Sequence, residues 1–296
     1  MAIEDQQQLK DMDSLMKTAR LAKEFFPDLV DTSEEEIAGW EQQTATLKTL
    51  PDRFNKVFLP EGWVFTANMS TDSAEEAIRI AKSKGMGAAE EYLEDYYEEN
   101  WWFLSWRLFA EMKKCPQIGL HNAVARQELI ELVWQDHKEK RYHASVPVIA
   151  AQIDGIVKDL TGKTFYSRKD TSHLQANETL ASDPTALPEV AKMMSRSRSK
   201  TTTEPLDVPQ RHGVLHGRDL GYDTRRTSTQ AFATLLSLTE LIEAITKGEQ
   251  FKVPEPEFLD PEAATLEDVI EIWKGVLKTV REYGDWQLKN ESNGTE

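Results

Sequence analysis

The amino-acid sequence predicts a mainly α-helical fold, and three observations predict it. Apolar residues recur at helical spacing through most of the chain, most Gly and Pro residues fall between those runs, and one stretch near residue 60 alone has strand-like composition. With 296 residues, 40 % of them hydrophobic and eight of them tryptophan, the chain can bury a substantial core.

Residues 1 to 49 read as helix, with Leu15, Leu21 and Phe25 among its apolar positions, a break at Pro27, a restart at Ser33-Glu34-Glu35-Glu36 and a stop at Pro51. From Val57 to Ala67, aromatic and β-branched residues surround Pro60 and Gly62, which predicts a short strand or hairpin. Helical spacing returns from Ser73, punctuated at Gly85 and Gly87. Trp102, Trp106 and Phe109 follow at i, i+4 and i+7, where a core-facing stripe is expected rather than a base-stacking platform.

Two amphipathic helices are predicted at 122–139 and 144–160, joined so closely at Lys140-Arg141-Tyr142 that they must form a helical hairpin. The second carries Val146, Ile149, Ile153, Ile156, Val157 and Leu160 on one face, with Asp154 between small and apolar neighbours. A partner for that carboxylate is expected, because burying a lone charge costs about several kcal/mol.

Residues 163 to 206 are polar and read as a mobile loop with one short helix at 187–194. Asp207 is expected to cap a short helix that holds Pro209 in its first turn and ends at Gly217. Thr227 with Gln230 reads as the capping box of a longer apolar helix stopped by Lys247-Gly248. Pro254, Pro256 and Pro261 mark a linker, Leu266, Ile270, Trp273, Leu277 and Val280 a last helix, and the tail from Asn290 is expected to be disordered. The expected division is a helical N-terminal region with a short β element (1–115), a helical bundle (116–249), and a linker, C-terminal helix and tail (250–296).

A net charge of −16 argues against a broadly basic surface that coats itself with nucleic acid. Charge is uneven, however: Glu90, Glu91, Glu94, Asp95, Glu98 and Glu99 crowd one decade, read here as a solvated helix face, while residues 192–226 hold eight Lys/Arg against four Asp/Glu. That second segment is the expected phosphate-facing region. A lone cysteine, Cys115, excludes a disulfide within the chain and a Cys-based zinc cluster. The first twenty residues lack the apolar run of a signal peptide, and no stretch reaches the roughly 20 apolar residues that span a bilayer. A soluble, cytoplasmic protein without membrane partners is expected.

Chemistry concentrates in Arg211-His212-Gly213-Val214-Leu215-His216-Gly217. RNA can be cut without a metal when its own 2′-hydroxyl attacks the adjacent phosphorus. An imidazole moves the protons near neutral pH, and a guanidinium steadies the charge that builds on phosphate. Arg211 and His216 supply one of each, with His212 a helical turn before His216. Five positions apart on a regular helix, Arg211 and His216 point about 140° away from each other, so a homodimer with the site at its seam is expected.

Arg211 to His216 fits the Arg-x4-His signature of the HEPN superfamily, and the run from Arg211 to Thr224 before an apolar helix resembles bacterial HEPN-like proteins with an "RHxxLHG…YxT" element. Tyr142 to Gly162, with Gln152, Asp154, Gly155 and Ile156, resembles the helix that precedes this element in them. The resemblance covers about residues 118 to 248. It implies a HEPN-type bundle and a metal-independent endoribonuclease of phage defence or growth arrest, without cofactor, acting on RNA as a homodimer with a composite site and answering to an inhibitory partner or antitoxin. In it Arg211 steadies the phosphate, His216 is the general base or acid, His212 supports them or binds substrate, and Asp154 orients Arg211 or His212. Arg218, Arg225 and Arg226 are candidates to hold the RNA backbone, and the acidic run at 90–99 to occupy the basic segment at rest.

The competing readings are a non-catalytic HEPN-like module that binds nucleotides, RNA or protein, and a zinc site on His212 and His216, for which no third ligand is evident in the sequence. His121, His137, His143 and His173 sit among polar neighbours and are expected at the surface.

Overall fold

The computed structural model describes residues 34–66, 68–175 and 185–248, and helices dominate them. In chain order these are α1 (Glu34–Phe58), α2 (Thr71–Lys84), α3 (Met86–Glu99), α4 (Trp101–Lys114), α5 (Leu120–Lys138), α6 (Tyr142–Thr161), α7 (Ala186–Met194), α8 (Arg211–Leu215) and α9 (Arg225–Gly248). Two short strands, β1 (Thr202–Pro205) and β2 (Asp219–Gly221), and 3-10 turns at Leu59–Glu61 and Ser172–Leu174 complete the described elements. The helix expected before residue 33, and the linker, last helix and tail after 249, lie outside the described residues.

The apolar helix α9 is the axis: it packs on α3, α4 and α6, and its residues from Ala231 to Leu238 are buried. Around it Trp101 of α4 stacks on Trp134 of α5 at 4.4 Å, and Phe232 of α9 meets each edge-on at 5.0 Å. Such aromatic packing contributes about 0.5–1.5 kcal/mol per pair beyond area burial. One buried cluster runs from Leu50 to Ile242, drawing on both sides of residue 115.

The hairpin of α5 and α6 forms as expected. Gly155 leaves room for Arg126 of α5: a Cβ there would stand 2.7 Å from Arg126 Nη1. Arg126 in turn donates to Gln152 Oε1 at 2.9 Å and Asp159 Oδ2 at 2.7 Å. The segment around Asp154 is small because an arginine crosses it.

Several expectations are corrected. Pro51 lies inside α1 instead of ending it, since Leu50, Phe54 and Phe58 bury that helix on both sides of the proline and packing outweighs the lost backbone bond. Of the stretch Val57–Ala67, Ala67 lies outside the described residues and no strand forms in the rest: α1 runs to Phe58, a 3-10 turn covers Leu59–Glu61, and Trp63 to Thr66 are buried without strand pairing. There the Phe65 amide donates to the Asn55 side chain at 2.8 Å, so a side chain satisfies what a neighbouring strand would. Gly62, at φ 88°, lies under Val208, whose Cγ2 would be 2.6 Å from a Cβ.

The expected stripe of α4 divides: Phe109 is buried as expected, but the two tryptophans are not. Trp102 and Trp106 are 76 % and 65 % exposed, while Trp101, Leu104, Leu108, Phe109 and Met112 form the buried face. With apolar residues nearly all round its first two turns, the helix carries no periodicity strong enough to choose a face. His137 is buried, not exposed. Finally, Glu90 is buried and Glu94 half-buried, so the acidic run is not simply a solvated face.

Candidate active site

The segment from 195 to 224 is held by the bundle rather than free. After α7, β1 pairs in parallel with β2, Thr202 opposite Asp219 and Pro205 opposite Gly221, and α8 makes the crossover. The strands approach so closely at Gly221 that a Cβ there would lie 2.2 Å from the Glu204 carbonyl oxygen. Part of the expected loop is therefore a strand. Exposed threonines and a charged residue gave β1 no apolar alternation by which to find it.

Helix α8 begins at Arg211 without a side-chain cap; Gln210 occupies the N-cap, and Asp207 instead stands 3.9 Å from Arg226. His216 is the C-cap, and Gly217, at φ 63°, turns the chain so that the Arg218 amide donates to the Gly213 carbonyl at 2.8 Å. Thr224 and Thr227 then form a reciprocal capping box for α9, each backbone N–H donating to the other's hydroxyl, at 3.1 and 3.4 Å. The expected partner of Thr227, Gln230, reaches the Glu61 carbonyl at 2.7 Å instead.

Asp154 and Arg211 come together. Asp154 Oδ1 accepts from the Thr164 hydroxyl at 2.5 Å and the Phe165 amide at 2.9 Å, while Oδ2 lies 3.8 Å from Arg211 Nη2. The Arg211 guanidinium also sits over the Tyr166 ring at 5.6 Å, and Tyr166 is anchored by its hydroxyl to the Ala150 carbonyl at 3.0 Å. Arg211 Nε is buried without a hydrogen-bond partner. The guanidinium is thus fixed by a carboxylate and an aromatic face, with donor capacity left over.

His212 and His216 are exposed, their rings 4.4 Å apart. Local desolvation and then the charges of His216, Arg168, Arg211 and Arg218 hold the His212 imidazole below its ordinary range. Among the described residues, no hydrogen bond joins Arg211 to His216. No group of three His, Cys, Asp or Glu among the described residues is placed to hold a metal ion. A cleft of about 440 Å³ on α1 and α7, lined by Asp52, Asn55, Lys56, Glu189 and Met193 among others, includes none of these side chains. In the candidate site His212, His216 and Arg218 face solvent, and Arg211 is part-buried.

The arginines named for the RNA backbone divide. Arg218 is exposed beside α8, its guanidinium donating to the Ser199 carbonyl. Arg225 is clamped by the acidic helix α3, at 2.6 Å from Glu98, 2.7 Å from Asp95 and 3.3 Å from Glu94. Arg226 lies 2.7 Å from Glu90 and 3.2 Å from Glu61. Both are committed to holding α3 against the start of α9. Beneath them His137 accepts or donates to Ser228 Oγ at 2.7 Å and meets Glu98 Oε1 at 3.1 Å, and burial pushes its imidazole down despite Glu98.

No protein-family model, curated protein or solved structure matches this chain. Among the described residues no helix is long and apolar enough to cross a membrane.

Sequence reading missed Tyr166, Arg168 and Arg198 at this site. Arg198 lay in plain view in Ser195-Arg196-Ser197-Arg198-Ser199, but its place beside Asp219, 3.1 Å from Oδ1, is set by the parallel pairing of β1 and β2.

Proposed function

We propose that the chain is a metal-independent endoribonuclease of HEPN type, acting as a homodimer. The observation that carries this reading is the arrangement at α8: Arg211 anchored by Asp154 and Tyr166, with the paired exposed rings of His212 and His216 on the same short helix and arginines around them. In the proposed reaction His216 of one copy takes the proton of the 2′-hydroxyl. The O2′–P bond forms as the P–O5′ bond breaks, and the leaving oxygen receives a proton from the imidazolium of the second copy. The products are a 2′,3′-cyclic phosphate and a 5′-hydroxyl, with Arg211 donating to the phosphate oxygens as charge builds. His212, whose imidazole is held below its ordinary range by local desolvation and then by the neighbouring cations, serves as a hydrogen-bonding support. Two copies are needed because Arg211 turns to Asp154 and Tyr166 while His216 turns to His212.

Exposed imidazoles with an exposed arginine beside them suit a strand of nucleic acid that lies along the surface. The biological setting we propose is phage defence or growth arrest in the cytoplasm, under the control of an inhibitory partner. Incubation of the purified chain with total RNA in excess EDTA tests the chemistry: cleavage leaving cyclic phosphate ends is expected, and binding without cleavage would replace the enzyme with a nucleotide- or RNA-binding module.

A further inference from the structure

Asp219 is wholly buried, and neither carboxylate oxygen accepts a hydrogen bond. A buried carboxylate without donors is costly, by about several kcal/mol. Its placement shows what holds it there. On one side it fills the space over Gly213, where a Cβ would stand 1.7 Å from Oδ2, so α8 and β2 fit only because position 213 lacks a side chain. On the other side Arg198 Nε lies 3.1 Å from Oδ1, and the Arg198 side chain is still 42 % exposed. Asp219 thus connects the backbone of the Arg211–His216 helix to an arginine that an anion can reach.

Two further contacts bring the same surface together. Arg168, two residues beyond the Tyr166 ring that supports Arg211, donates from Nε to the Ser195 carbonyl at 2.8 Å, three residues before Arg198. Arg218 donates to the Ser199 carbonyl, one residue after it. Arg168, Arg211 and Arg218 all act on His212 electrostatically. Of the carboxylates here, Asp154 is already bonded to Thr164 and Phe165, Asp219 is buried beneath, Asp170 is bonded to Lys163 and Ser172, and Glu204 is exposed on β1. In a chain of net charge −16 this is a local excess of exposed cations.

We infer that Arg168, Arg198 and Arg218 form one surface that binds the phosphate backbone of a single-stranded oligoanion alongside α8, with Asp219 as the positioning residue for Arg198. The identification of that oligoanion as RNA rests on the ribonuclease reading. Arg225 and Arg226 are excluded from this surface because carboxylates of α3 already neutralise them.

The test uses the full chain carrying His216→Ala, so that nothing is cut, and two probes: a short single-stranded RNA and inorganic polyphosphate. Affinity is followed against salt. Removal of one phosphate-contacting cation lowers the slope of log K against log salt by about 0.7 for a single strand. Arg168→Ala, Arg198→Ala and Arg218→Ala are each expected to lower it by about that amount, Arg198→Lys to preserve it, and Arg225→Ala to leave it unchanged.

Asp219→Asn is expected to lower the slope as Arg198→Ala does, and to add nothing in the Arg198→Ala background. A merely structural Asp219 would lower the melting temperature without that coupling. Binding of polyphosphate with these decrements, but not of RNA, would uphold the surface while removing the ribonuclease reading. Unchanged slopes in Arg168→Ala and Arg198→Ala, or no binding of either probe, would overturn the inference.

Discussion

Arg225 and Arg226 at the start of α9 and Arg168, Arg198 and Arg218 around α8 are the same residue type, partly within one short basic stretch, yet the fold gives them opposite tasks. The first pair faces Glu90, Glu94, Asp95 and Glu98 across a helix packing seam. In the second group Arg168 and Arg218 are bonded to backbone carbonyls, which leave their charge unneutralised, and Arg198 faces one carboxylate, Asp219, while its side chain stays 42 % exposed. What an arginine does is decided by whether a carboxylate waits opposite, and a carboxylate from α3 arrives only when the chain folds back over more than a hundred residues.

This contrast can be broken or sharpened in four ways. The largest effect is expected at α8 itself: Arg211→Ala or His216→Ala lowers RNA cleavage by at least about 100-fold with the circular dichroism spectrum unchanged. Equal cleavage by either variant would remove α8 from the chemistry. At the clamp the effect is on stability instead. Arg225→Ala leaves three carboxylates without their shared cation and is expected to cost about 2 kcal/mol, read as a lower melting temperature and denaturant midpoint.

Gly213→Ala forces a methyl group onto the Asp219 carboxylate and is expected to cost about 1–3 kcal/mol. Adding Asp219→Gly should recover part of that loss, and absence of any recovery would show that the clash is relieved elsewhere. The smallest effect concerns pH. Burial raises the Glu94 carboxyl to about 7, against the opposing pull of Arg225. A folded pKa above the unfolded value of 4.5 means a contribution to stability that is complete below that value and lost as pH rises through about 7. Glu94→Gln should therefore raise the melting temperature by a few degrees near pH 8 and leave it nearly unchanged in acid, whereas a gain of equal size in acid would contradict the assignment.

The helices α6, α7 and α9 were legible from their apolar residues at helical spacing, whereas α5 was legible as a helix but not in its facing, since Leu120, Val124, Leu129 and Leu132 are exposed beside buried Ile130, Val133 and Trp134. Asp154 was legible as a paired carboxylate because a charge in small apolar surroundings needs compensation. Its proximity to Arg211 followed from the resemblance, and Thr164 and Phe165 as its closest partners did not. The face of α4 was not legible, since Trp101, Trp102, Phe103 and Trp106 offer apolar surface in several directions and only Trp134 and Phe232 select among them. His137 was misread because its neighbours in the chain are polar while its neighbours in space are Trp134, Phe232 and Ser228.

By itself the sequence determined the helical class and most helix positions, and it singled out the Arg211-to-His216 run as the candidate site, because helical periodicity and residue type are local properties. Tertiary structure decided which side of α4 is covered, that Thr202 pairs with Asp219, and which arginines face a cluster of carboxylates. Those outcomes depend on groups far apart in the chain meeting in a low-dielectric interior, where the energy of a charge is set by its nearest partner and not by its position in the sequence.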